Sequence, residues 1–157
     1  MLETSDQTKL TNVLVWTAGA AFAASWFLPV LVDVPGWMAF RYALAPLVPY
    51  SDAGALDWDD SVPQVLSALT NVVFIILFAL WVTRQHVRPG LLLRMTLACF
   101  LLNLYWFVRA WREHDLKDLL VGYYVWEAAF ALLLSVAVIS VVASRRTSTT
   151  PTAGTPS

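Results

Sequence analysis

VPQVLSALTNVVFIILFALWVT, residues 62–83, is a run of 22 residues without a single charge. An α-helix rises about 1.5 Å per residue, so roughly 20 apolar residues cross the ~30 Å hydrocarbon core of a bilayer. The run meets that length. Asp59, Asp60 and Ser61 stand before it and Pro63 lies near its first turn. Side-chain oxygens at that place cap free N–H groups, and a proline there removes an N–H that has no partner. The pattern therefore reads as the start of a membrane-spanning helix.

Toward the C-terminus, residues 119–143 form a second such run, interrupted only by Glu127 and closed by Ser144-Arg145-Arg146. Between the two, Arg94 and Arg109 bracket 14 uncharged residues. Extending that stretch back to Leu91 gives a span with Arg94 one turn inside, where its long side chain snorkels to the interface. Pro89-Gly90 marks the turn before it. Toward the N-terminus, residues 10–32 are a further uncharged run of 23. Ala21-Phe22-Ala23 has the look of a signal-peptidase site, but Glu3 and Asp6 beside a single Lys9, and an apolar stretch that continues through Trp26, Phe27 and Leu28, favour a retained span.

The expected fold class is an all-α membrane protein with four transmembrane helices at about 10–32, 62–83, 91–109 and 119–143, forming one domain over 1–146. Residues 33–60 contain Pro35, Gly36, Pro46 and Pro49. Within them, 37–47 reads either as a short amphipathic helix in the interface, with Arg41 toward the headgroups, or as an ordered loop. Residues 147–157 are Ser, Thr, Pro, Ala, Gly and Arg-free, and are expected to form a disordered cytoplasmic tail.

Composition agrees with a lipid-embedded chain. The 157 residues are 59% hydrophobic and 13% charged, with a mean hydropathy of +0.64, against about 45–50% apolar in soluble domains. A net charge of −1 excludes a nucleic-acid binder, which needs a concentrated basic patch. Cys99 is the only cysteine, so there is no intrachain disulfide and no cysteine cluster for a metal. There is no G-x-S-x-G, no H-E-x-x-H and no phosphate-cradling loop, so no catalytic residue, metal ligand or cofactor is expected. Asp57-Trp58-Asp59-Asp60 lacks the spacing and glycine of a calcium loop and reads as a helix cap.

Orientation follows the basic residues near the span ends. With both termini in the cytoplasm, Lys9, Arg84, Arg88, Arg94, Arg145 and Arg146 lie inside, against Arg41, Arg109, Arg112 and Lys117 outside. His86 and His114 then fall on opposite faces and cannot share a metal. Trp37, Trp58, Trp106, Trp111, Tyr123, Tyr124 and Trp126 gather at the outer headgroup zone that such rings prefer.

Glu127 is the one acid inside a span, where a carboxylate costs a few kcal/mol, roughly 2.5–3.5 for Asp at mid-helix. If the third and fourth spans turn near Leu116, Glu127 lies level with Tyr105 and one turn below Arg109. An intramembrane ion pair of Glu127 with Arg109 is expected, with the Tyr105 hydroxyl as third member and Arg112 or Arg41 as substitute cations. Its role reads as a clasp between helices or as a proton or substrate site. Asn71 and Asn103 are expected to serve helix packing, at roughly 0.6 kcal/mol per interhelical bond.

Three local patterns, Ser25-Trp26-Phe27-Leu28-Pro29, Pro35-Gly36-Trp37-Met38-Ala39 and Gly122-Tyr123-Tyr124-Val125-Trp126, together resemble a family of small four-span bacterial inner-membrane proteins of uncharacterised function. The resemblance implies a multi-pass topology and an inner-membrane address. This chain departs from it by following the last pattern with Glu127. The expected function is that of a non-enzymatic accessory or structural membrane factor, with the lipid bilayer and either a membrane-protein partner or a second copy as partners. The competing class is a small oligomeric transporter or channel using Glu127.

Overall fold

The computed structural model describes residues 4–47, 58–83 and 88–148. Five α-helices appear among them: α1 (Thr4–Ser25), α2 (Gly36–Ala43), α3 (Trp58–Val82), α4 (Pro89–Glu113) and α5 (Val121–Ser148). A two-stranded hairpin, β1 (Pro29–Leu31) and β2 (Val34–Pro35), joins α1 to α2, and a 3-10 turn (Leu116–Asp118) joins α4 to α5. The stretches Ser61–Val82, Pro89–Glu113 and Val121–Arg145 are each long and apolar enough to cross a membrane. Their outward faces suit lipid, since Leu69, Val72 and Ile76 remain 44, 46 and 51% exposed.

The N-terminal element differs from its expectation. The helix covers 10–25 of the expected 10–32 and begins earlier, at Thr4. Pro29 has no N–H to continue the ladder and turns the residue before it away from helical angles. Beyond it the chain reverses through Asp33, at φ 59°, a left-handed conformation that Asp tolerates better than most residues. Asn12, Thr17, Gly19 and Ser25 dilute α1, and it is not among the helices apolar enough to span by composition.

Helix α3 starts at Trp58, so the acids at 59 and 60 sit within its first turn instead of before it, and Pro63 lies inside the helix. The stretch expected as an interfacial helix or loop contains α2, which is shorter than 37–47. Of the expected tail 147–157, the first two residues continue α5, and the rest lies outside the described residues, as does His86.

α5 is the central helix, packed on α1 along one side and on α4 along the other, with α3 against α4. The ring closes where Phe22 of α1 stacks on Phe74 of α3, centroids 4.1 Å apart, and Phe130 of α5 meets both edge-on. Ala18, Ala129 and Ala137 are almost wholly buried beside these rings, since small side chains let the α1 and α5 backbones approach. α4 ends in a left-handed His114, with the Asp115 N–H bonded to the Ala110 carbonyl at 2.8 Å, a motif that occupies the last free carbonyls.

Candidate functional site

The three sequence patterns that stand far apart in the chain meet at one end of the bundle. Carbonyls just past α1 accept from the first N–H groups of α2: Gly36 N–H bonds Leu28 at 3.1 Å and Trp37 N–H bonds Trp26 at 3.0 Å. Each helix end thereby supplies what the other lacks. The Leu120 N–H closes on the Val30 carbonyl at 2.9 Å, tying the start of α5 to the hairpin. Two glycines permit this approach. A Cβ on Gly36 would strike the Ser25 carbonyl oxygen, and one on Gly122 would lie 2.6 Å from that of Pro29.

Beneath this junction is a partly open cavity of about 250 Å³, walled by α1, the hairpin, α2, α3, α4 and the start of α5. Six rings line it: Trp26, Phe40, Tyr42, Trp106, Tyr123 and Trp126. Its polar side chains include Ser25, Gln64, Ser67 and Asn71 beside the Tyr42 and Tyr123 hydroxyls, and no charged residue among the described ones lines it.

Ser67 and Asn71 belong to a hydrogen-bonded network in the bundle. Asn103, with no exposed surface, accepts at Oδ1 from Thr70 Oγ1 at 3.0 Å and Ser67 Oγ at 3.3 Å, and its carbonyl accepts from the Tyr123 hydroxyl at 3.1 Å. Asn71 Oδ1 accepts from Trp126 Nε1 at 2.8 Å, while its Nδ2 donates to the Ala68 carbonyl at 3.2 Å. α3, α4 and α5 are thus joined through side chains of all three. Asn103 Nδ2 is buried without a hydrogen-bond partner.

Arg109 and Glu127 are not brought together. Arg109 Nε pairs with Glu113 Oε1 at 2.9 Å, one turn along its own helix, and its guanidinium lies 5.9 Å from the Trp106 ring centroid. Both Glu127 carboxylate oxygens are buried with no hydrogen-bond partner. Tyr105 is 40% exposed and rests edge-on against Trp106, and Arg112 and Arg41 are also exposed. Arg109 finds its carboxylate on its own helix, because α4 runs on past it to Glu113.

Gln64, Ser67 and Thr70 were not singled out by sequence reasoning, although a signal was present. Gln64, Ser67 and Asn71 follow at i, i+3 and i+7, one stripe of a helix, within a run otherwise dominated by aliphatic residues. Among the described residues, no group of three His, Cys, Asp or Glu side chains is placed to hold a metal ion. No protein-family model, curated protein or solved structure matches this chain.

Proposed function

We propose that this chain is a multi-pass integral protein of a bacterial inner membrane, with four spans and both termini in the cytoplasm, acting without catalysis as an accessory or structural membrane factor. α2 lies in the outer interface, and the bilayer and a membrane-protein partner or second copy are what the chain works through. The observation that carries the reading is how the polar side chains of the spans are used. Ser67, Thr70, Asn71, Asn103, Tyr123 and Trp126 bond to one another or to backbone across three helices. A conduit needs such groups to be available to a passing solute; here they hold helices together.

The fourth span is supported by packing. α1 runs beside the C-terminal half of α3, where Phe22 stacks on Phe74, Gly19 lies against the Phe78 ring and Trp16 meets that ring edge-on at 5.7 Å. A helix held at that depth shares the slab its neighbours cross.

The alternative, a small oligomeric transporter or channel, draws on the unpartnered carboxylate of Glu127. Reconstitution into liposomes loaded with a pH-sensitive dye separates the two. No proton or alkali-cation flux above empty liposomes is expected. A flux that disappears in Glu127→Gln would replace the accessory reading with the transporter.

A further inference from the structure

We propose that the cavity under the hairpin is a binding site for an uncharged planar ring bearing one hydrogen-bonding oxygen, either the head of a membrane lipophile or a free aromatic molecule. Size sets the scale. A dry 150 Å³ cavity is known to hold benzene, so about 250 Å³ fits a substituted ring or two fused rings and excludes a whole lipid. Any tail must leave through the open side.

The lining sets the chemistry. With no charged residue in the lining among the described residues, a phosphate, carboxylate or ammonium finds no counter-charge among them to offset its desolvation, which disfavours an ionic headgroup. Six aromatic rings favour a flat guest, because aromatic pairs gain from offset and edge-to-face contact beyond the area they bury. Ser25 Oγ donates to the Phe22 carbonyl at 2.7 Å, and Ser67, Asn71 and Tyr123 belong to the network. Gln64 and the Tyr42 hydroxyl make no hydrogen bond to a described residue. Tyr42 is 45% exposed and Gln64 is the more enclosed of the two; the Gln64 amide can donate to a carbonyl or accept from a hydroxyl, and it is the orienting group for the guest. A mostly apolar pocket with one such group is the usual form of a small-molecule site.

The inference rests on the membrane reading only for the source of the guest. Binding is measured on the full chain in detergent by equilibrium dialysis, with 2-methyl-1,4-naphthoquinone, the same ring carrying a ten-carbon tail, and the ring carrying a sulfonate. Saturable binding of the two neutral probes is expected, at least tenfold tighter than the sulfonate. Ala39→Phe and Ala68→Phe, which fill the cavity from α2 and from α3, are each expected to weaken it at least tenfold, and Gln64→Leu several-fold. Helical circular dichroism and gel filtration verify that each variant folds. Tighter binding of the tailed probe identifies a bilayer source, and equal binding a free ring; both uphold the site. Non-saturable uptake, or uptake unchanged in Gln64→Leu and in whichever filled variant folds, would reduce the result to micelle partitioning and overturn the proposal. Failure of topology fusions with binding intact would instead remove only the membrane reading.

Discussion

A buried carboxylate without a partner is held in place by the rest of the fold and contributes nothing to it. Glu127 is in that position, its two oxygens enclosed and unbonded, so Glu127→Met, which keeps the volume and removes the polar atoms, is expected to raise stability by about 1–3 kcal/mol. Unfolding in mixed detergent micelles reads this directly, and a loss of stability would mean that the carboxylate has a partner after all. Glu113→Gln breaks only the half-exposed pair with Arg109 and should cost about 0.5 kcal/mol or less. Asn103 behaves oppositely to Glu127. Asn103→Leu removes the common acceptor of Ser67 and Thr70 and should cost about 1–2 kcal/mol, near the upper end for interhelical bonds in membranes. Thr70→Val should cost less, since the Thr70 hydroxyl is shared with the Ser67 carbonyl of its own helix at 2.6 Å. Equal losses in the two variants would show that the network is not centred on Asn103.

At the scale of elements, the long apolar helices were legible because composition decides them. The expected stretch 91–109 falls within α4, while 62–83 overruns the end of α3 by one residue and 119–143 starts two residues before α5. Their ends were less legible, because an end is fixed by local hydrogen bonds that hydrophobicity does not report: His114 caps α4 five residues beyond Arg109, which interrupts the apolar run. The added turn carries Glu113, and Arg109 pairs with it instead of with Glu127. The junction at the cavity was visible only as three short patterns, and nothing in 25–29, 35–39 or 122–126 says that they touch. Their contact depends on glycines whose role is tertiary. Gly36→Ala and Gly122→Ala each force a methyl group onto a backbone carbonyl, and each should lower stability by about 1–3 kcal/mol as overpacking does. Gly90, with nothing within 4 Å of a built Cβ, is the control. Inside α4 its change to Ala should be neutral or stabilise by up to about 1 kcal/mol. If thermal unfolding ranks Gly90→Ala with the other two, the close approach at the hairpin is not what those glycines serve.

For the whole molecule, the decisive question is what α1 does, since it lacks the hydropathy of the other long helices yet packs along α5 and shares its core with Phe74 and Phe130. A mean over a window treats every face alike, whereas a helix enclosed by neighbours needs apolar side chains only where it meets lipid or core. Ala18 is fully buried and Phe22 is 7% exposed, while Val13 and Trp16 face outward at 61% each. The buried side carries Val15, Ala18 and Phe22, and the mean is lowered by a few residues such as Asn12, Thr17 and Gly19 without making that side polar. With α1 crossing beside α5, an even number of spans returns the chain to its starting side. Reporters fused ahead of Met1 and after Ser157 should then both be active in the cytoplasm, and one inserted within 51–57 should be active outside. If α1 does not cross, three spans remain and the two terminal reporters fall on opposite sides. The terminal pair is therefore the sharper test, because a reversal of the entire protein would move both reporters together, while the loss of one span moves only the first.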